Sequence, residues 1–336
     1  MVPFAGWEMP VQYTGVKAEH TAVRTTCGLF DVSHMGTVLL QGGRATEALE
    51  RLTPWPMSKL KPGRARYTVM LNEAGGTVDD LIVYRRGNED WFVIWNAANH
   101  QKNLDWTAPI LTEYGVTLED LTSDTALIAL QGPDWHSVWE QALPGAAFPD
   151  KRFTFTEHDG MLIARTGYTG EDGVEIWCPN ARAIELWDRL IDAGATPCGL
   201  GARDSLRIEA GLPLYGHELS DEIGPIEGGV GFVVHKDHHG YIGEMALQRD
   251  PRRCLAGVRM TGRGVPREGY PVLTPDGETI GAVTSGSYSP ILDTGIGLAL
   301  VDRKKSGYDG TSQAVAVEIR GRSFDAELVV PPLHKN

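Results

Sequence analysis

Two adjacent carboxylates, Asp79 and Asp80, sit inside a run from Val78 to Tyr84 that otherwise reads as a β-strand. Period-two alternation sends Asp80, Ile82 and Tyr84 to one face and Asp79, Leu81 and Val83 to the other. One aspartate therefore points to whichever face is covered, where an ionised carboxylate is costly unless a partner or a ligand bonds it. Such an acid can orient an amine or hold a proton during transfer at nitrogen, and spacing alone does not choose between the two. As plain structure, one acid would face solvent and the other would pair with an arginine or cap a turn. Tyr67 and Tyr84 come from the same predicted sheet, and aromatic rings with a polar tip suit a flat heterocycle.

A second polar cluster, Arg165-Thr166-Gly167-Tyr168-Thr169-Gly170-Glu171-Asp172-Gly173-Val174-Glu175, lies between apolar strands. Its glycines permit tight turns, and Tyr168 and Glu175 are placed to line a pocket. A glutamate accepts two parallel N–H bonds well, which matches the amino-pyrimidine edge of a pterin. The plainer reading is a hairpin with an exposed acidic loop. A third cluster, Gly201 to Glu209, carries charges in a packable helix, where Arg203–Asp204 and Arg207–Glu209 ion pairs would simply support the fold. His235, His238 and His239 form a dense histidine group that reads as a hydrophilic surface turn. There is no GxxxxGK[ST] phosphate loop, no dinucleotide fingerprint and no Gly-x-Ser-x-Gly elbow.

These residues need elements to hold them. Short helices are predicted over 16–27 and 43–53, then three strands across Tyr67 to Asn99. A helix over 98–113 should end or kink at Pro109. Thr125 to Leu130 reads as a strand, Asp134 to Leu143 as a helix, and 151–178 as strands broken at His158-Asp159-Gly160 and Gly167 to Gly173. Ala181 to Ala193 is the clearest helix, with Ile184, Trp187, Leu190 and Ile191 as its stripe, Asn180 as its cap and Gly194 at its end. A helix of 201–210 leads into the Gly/Pro-rich 211–230. From about residue 252 short β-like runs predict a small all-β unit of barrel or sandwich kind, after the linker Arg249 to Arg253. The domains expected are an α+β region over 1–250, in two interleaved subdomains, and a β-unit over 251–336.

Composition sets outer bounds. The 336 residues, 42% hydrophobic and 22% charged, are those of a folded chain long enough for more than one compact unit. No apolar run approaches the ~18 residues of a membrane span. The formal charge of −13 argues against a nucleic-acid-binding body. Cys27, Cys178, Cys198 and Cys254 are scattered, which predicts reduced, mostly buried thiols in a cytoplasmic protein. The opening MVPFAGWEMP lacks the basic-then-apolar pattern of a signal peptide.

Eight segments together resemble the aminomethyltransferase family, the T-proteins of the glycine cleavage system. They are FAGWEMPVQY at 4–13, GLFDVSHMG at 28–36, GRARYTVMLNEAGGTVDDLIVY at 63–84, WNAAN at 95–99, LQGP at 130–133, RTGYTGEDGVE at 165–175, GLGARDSLRIEAGLPLYGHEL at 199–219 and TSGSYSP at 284–290. They follow the family's order across nearly the whole chain. The resemblance implies an α+β folate-binding fold around a central channel, with a C-terminal β-barrel. It implies transfer of the one-carbon unit of an aminomethyl group from the dihydrolipoyl arm of a lipoylated H-protein to tetrahydrofolate, giving ammonia and 5,10-methylenetetrahydrofolate, with no metal. Matched to the family motif Gly-Gly-x-x-Asp-Asp, Asp80 is the catalytic acid and Asp79 its supporting neighbour. By the same matching Tyr67, Tyr84, Asn96, Tyr168 and Glu175 surround the folate, and Arg203 lies near its aminobenzoyl and glutamate side. The expected partners are the H-protein and tetrahydrofolate, not nucleic acid or membrane, and the chain is expected to be a monomer.

Two features depart from the family pattern. Phe4 of the Phe-x-Gly-Trp motif stands almost at the start, where the family carries a further segment whose loss would expose apolar surface at the channel entrance. At 243–246 Gly-Glu-Met-Ala replaces Gly-Lys-Glu-Ala, so Glu244 stands in for a basic residue. Two other functions compete with aminomethyl transfer. A folate-dependent demethylase of a methylated sulfur or nitrogen compound would share folate recognition but diverge around the acidic pair. A non-catalytic folate-binding protein of iron–sulfur assembly would carry a Lys-Gly-Cys-Tyr-x-Gly-Gln-Glu signature, whereas Gly211 to Glu218 here contains no cysteine.

Overall fold

Two antiparallel-rich sheets face each other, and the apolar alternation of their strands explains why both faces of each are covered. The computed structural model describes residues 1–335. One sheet has five strands in the order Arg64–Leu71, Thr77–Gly87, Asp90–Trp95, Gly36–Gln41, Thr117–Asp120. The other has six, in the order Phe155–His158, Met161–Ala164, Gly173–Pro179, Thr125–Gln131, Gly28–Asp31, Thr196–Pro197, and only the last pairing is parallel. Between the sheets Phe30, Tyr84, Phe92, Ile94, Leu127 and Ala129 form a shared core. On the far side of the five-stranded sheet Leu81, Val83, Trp91, Val93 and Trp95 meet the helices Ala45–Leu52 and His100–Glu113. On the far side of the six-stranded sheet Ile128, Leu130, Ile163 and Ile176 meet the helices Trp135–Ala142 and Asn180–Asp192. The result is a four-layer α+β body, as expected.

The all-β expectation for the tail resolves to a barrel. Arg253–Met260, Thr294–Asp302, Thr279–Ser289, Pro271–Leu273, Gln313–Ile319 and Arg322–Val329 close on themselves when the last pairs with the first. The helix Leu200–Ala210 joins barrel to sheets: Ala202 and Leu206 enter the inter-sheet core, while Ile208 packs on Ile296, Leu298 and Val329. It stops at Gly211, whose left-handed φ of 73° lets the Leu212 N–H return to the Arg207 carbonyl at 2.9 Å.

Several local expectations are corrected. The helix His100–Glu113 runs through Pro109. Pro109 and Asp105 are both exposed, so the carbonyl that the missing N–H would have bonded is not sealed in the core. Asn180 does not cap its helix; its amide donates to the Ser123 carbonyl at 2.8 Å. Ile184 is 76% exposed, and the buried stripe is Leu186 and Leu190 with Ala183, Trp187 and Ile191 beside them. Ile184 lies about 140° around the helix from the mid-line of Leu186 and Leu190. The strands Gly28–Asp31, Gly36–Gln41 and Arg322–Val329 are not among the elements that spacing predicts.

Candidate active site

The acidic pair sits on the strand Thr77–Gly87, where alternation sends the two side chains apart as expected. Val69 lies opposite Asp80 and Met70 opposite Asp79, so Asp80 shares the inner face with Tyr67 and Val69. Neither acid is exposed and, among the described residues, neither pairs with an arginine, which overturns the plain expectation that one would face solvent while the other paired with an arginine or capped a turn. Asp79 is fully buried beneath the start of the helix His100–Glu113. It accepts four N–H bonds: from the Asn96 backbone at 3.1 Å and from the amides of Asn96, Asn99 and Asn103 at 2.8, 2.6 and 2.6 Å. Asn99 and Asn103 are one helical turn apart, which aims both at one point. The Asn103 Oδ1 is buried without a partner, a cost of about 1–3 kcal/mol that an apolar residue would avoid.

Asp80 has fewer donors. The Asn96 amide reaches it at 2.7 Å and the Tyr67 hydroxyl at 3.0 Å. Burial and then the charge of Asp79 push Asp80 up to about 7, against two hydrogen bonds that pull it down. Asp79 is also raised by burial, with its amide donors opposing the rise. An acid poised near neutrality can give and take a proton.

Glu175 lies across the inter-sheet space on Gly173–Pro179, 9% exposed and without an ion pair. Burial pushes its carboxyl up, while the Thr166 hydroxyl and the Arg203 charge pull it down. Arg203, on the helix Leu200–Ala210, lies 4.6 Å over the Tyr168 ring and forms no ion pair. Burial lowers its pKa. The expected Arg203–Asp204 and Arg207–Glu209 pairs are absent. Arg207 instead binds Asp204 and Glu218 at 2.9 Å each and Ser285 at 2.7 Å. Glu209 meets His20 at 3.1 Å and Arg24 at 2.6 Å. These reassignments tie three parts of the chain together and, among the described residues, leave Arg203 without a carboxylate in an ion pair.

Tyr168 donates its hydroxyl to the Pro213 carbonyl. It also lines a cavity of about 440 Å³ with Phe4, Arg203, Arg207, His217 and Arg267. That cavity lies on the arginine side, away from the acidic pair. Tyr168 links the two, since its hydroxyl is near enough to feel the charge of Asp80. The structure therefore gathers Asp80, Asp79, Tyr67 and Asn96 into one hydrogen-bonded group, and Tyr168 and Arg203 into a second beside it.

Tyr84 stands apart. Its ring is wholly buried between Phe92 and Phe155, each 5.7 Å away, so neither face is open to a heterocycle. Its hydroxyl has no hydrogen-bond partner and lies toward Glu175. The histidine group is spread over a turn: His238 Nε2 is 2.9 Å from the Glu50 carbonyl, and His239 Nδ1 is 2.6 Å from Glu244. Glu244 thus serves a local turn.

Sequence reasoning missed Asn99, Asn103 and His34. The first two were signalled by asparagines at 96, 99 and 103, the last two at helical spacing. His34 is buried beneath Phe4, with rings 5.4 Å apart and Nδ1 unpartnered. Burial, and then Arg203, push it down to about 3, so it is neutral beside that cation. Phe4, which lines the cavity, is exposed, as are Trp7 and Tyr13 from the same N-terminal segment.

Two facing sheets joined to a barrel thus carry an acidic pair on the strand Thr77–Gly87, the architecture of a mixed α+β protein with an internal polar site. Comparison with known proteins makes it specific. Residues 1–238 match the GCVT N-terminal domain and residues 253–335 the glycine cleavage T-protein C-terminal barrel domain. The chain is 47% identical over 344 residues to an aminomethyltransferase of Rubrobacter xylanophilus, covering 100% of this chain and 90% of that one. It is 45% identical over 348 residues to an aminomethyltransferase of Geobacillus kaustophilus, covering 99% and 94%. The crystal structure of glycine cleavage system aminomethyltransferase T from Bartonella henselae superposes with a TM-score of 0.91 at 34% identity, covering 99% of this chain and 93% of that one. The chain belongs to the glycine cleavage T-protein family of aminomethyltransferases.

Proposed function

We propose that this transferase takes the aminomethyl group from the dihydrolipoyl arm of a lipoylated H-protein and passes its one-carbon unit to tetrahydrofolate. Asp80 carries the proposal: a strand-borne acid near neutrality, held between Tyr67 and Asn96. Tetrahydrofolate would supply two N–H groups; as both form bonds to the carbon, their hydrogens leave as part of ammonia and of the thiol, giving 5,10-methylenetetrahydrofolate.

The residues present fit such a co-substrate. Glu175 is a buried acceptor without an ion pair, suited to an amino-pyrimidine edge. Arg203 is a cation without a carboxylate, beside a cavity that holds Arg207 and Arg267, which suits an anionic tail. Tyr67 and Tyr168 flank the approach to Asp80. Asn96 bonds both acids and fixes their spacing. Tyr84 lies behind Glu175, its hydroxyl directed toward that carboxyl and its ring enclosed. In this reading Asp80 orients the amine and offsets positive charge as the C–N bond breaks. It gives its proton to a departing group and regains one from the attacking nitrogen. Asp79 supports it.

The chain acts as a monomer in this reading, with 1–250 and 251–336 as the two units that meet at the site. The deciding experiment offers aminomethylated H-protein and tetrahydrofolate and measures ammonia release. Turnover is expected. Folate binding without turnover would favour a non-catalytic role, and turnover only with a methylated amine or sulfur compound would favour a demethylase.

A further inference from the structure

The two acids are unequal, and two residues that touch only one of them make them so. The amides of Asn99 and Asn103 both bond Asp79, on opposite oxygens, at 2.6 Å. With Asn96 they give Asp79 four donors, against two for Asp80. Four donors and no acceptor favour the ionised form of a carboxyl, because a proton there would displace one of them. Two donors favour it less, and Asp80 also faces the neighbouring negative charge. Among the described residues neither acid forms an ion pair, so uncharged hydrogen-bond donors set the balance.

We propose that Asn99 and Asn103 are positioning residues that hold Asp79 as the anion of the pair and so assign the pair's proton to Asp80. The inference rests on the reading of Asp80 as the reacting acid and says what makes it one. The other groups around the pair do not compete for that role. Tyr67 from the neighbouring strand and Tyr168 from the second sheet's loop face Asp80, and burial pushes both hydroxyls above their ordinary range. Tyr215, from the segment over the sheet edge, faces Asp79 and is also raised by burial. Behind Tyr215, Lys102 bonds its hydroxyl at 2.6 Å and reaches Asp221 at 3.4 Å. With these groups uncharged or turned elsewhere, the amide donors decide which acid is protonated at neutral pH.

The test is a carboxyl titration of the free protein, by carbon NMR of labelled aspartate, with the Asp80 signal assigned by its loss in Asp80→Asn. Wild type should show Asp80 titrating near 7. In Asn103→Leu, Asp79 loses a donor and takes up the proton. Asp80 should then titrate at least one pH unit lower, a tenfold fall in its proton affinity. Asn99→Ala is the second variant and should shift it in the same direction, and Asp79→Asn, which removes the neighbouring charge, should lower it while burial still holds it above the ordinary carboxylate range. The alkaline limb of the pH–rate profile, where Asp80 loses the proton it donates, should move with the titration, which a merely structural role would not produce. An Asp80 titration unchanged in the folded asparagine variants would overturn the inference. Because the titration needs neither folate nor carrier protein, that result is separate from a failure of the transfer assay.

Discussion

Replacing Asp80 by asparagine should lower activity and raise stability, and the second effect should depend on pH. The side chain keeps its volume. Its remaining oxygen can accept from the Asn96 amide, while the Tyr67 hydroxyl can rotate to accept from the new NH2, so the local bonds survive. The ionisable proton is lost. Transfer should therefore fall at least tenfold, about 1.4 kcal/mol of transition-state stabilisation, with tetrahydrofolate affinity nearly unchanged. Stability follows from linkage. Asp80 titrates near 7 in the folded chain, against about 3.9 unfolded, so folding hinders its ionisation by about three units. A raised carboxyl destabilises nothing below about pH 3.9, progressively more as pH rises through that window, and most above about 7. At about 1.4 kcal/mol per unit the ceiling is about 4 kcal/mol, and the shared charge of Asp79 makes it an upper bound. The variant should match wild type in thermal midpoint near pH 4 and exceed it increasingly toward pH 7.5. Steady-state transfer with aminomethylated H-protein, calorimetric folate affinity and calorimetric unfolding across that range check all three points. Wild-type turnover would refute the catalytic assignment, and a stability difference independent of pH would refute the electrostatic account.

Glu175→Gln replaces an acceptor by a donor facing the same ligand edge, so folate affinity measured by calorimetry should weaken by about 1–3 kcal/mol, roughly five- to hundredfold. Normal binding would move the pocket elsewhere. Glu209 is raised by burial, but the His20 bond and charge, with Ser289 and Arg24, outweigh this and bring it down to about 2. A depressed carboxyl contributes stability above its unfolded value of about 4.3 that is lost as pH falls through the folded value, so Glu209→Gln should cost about 3 kcal/mol at pH 7. Unfolding curves for the two proteins should converge between about pH 4 and 2. On the helix Asn180–Asp192, Leu186→Ala should lose about 2–5 kcal/mol, while Ile184→Ala should stay within about 0.5 kcal/mol. Equal losses in chemical denaturation would contradict the observed face.

Much of this molecule was legible in the residues themselves. Alternation alone separated Asp79 from Asp80, helical spacing found the helices at 45–52, 135–142 and 200–210, and the change of texture near 252 marked the β-unit that closes as a barrel. These are local properties, set by how each backbone conformation directs successive side chains. What tertiary structure decided was the identity of partners. Asp79 proved covered, because the helix that starts at His100, just beyond the strand end at Trp95, folds back over it and brings Asn99 and Asn103 with it. Arg207 took Glu218 and Ser285 instead of Glu209, which freed no charge from the core but left Arg203 open to the cavity. The surroundings of Tyr84 were decided in the same way, since Phe155 from the second sheet closes over its ring. A charge inside a protein is satisfied by whatever packing brings near it, and that packing joins segments whose separation along the chain carries no record of their contact.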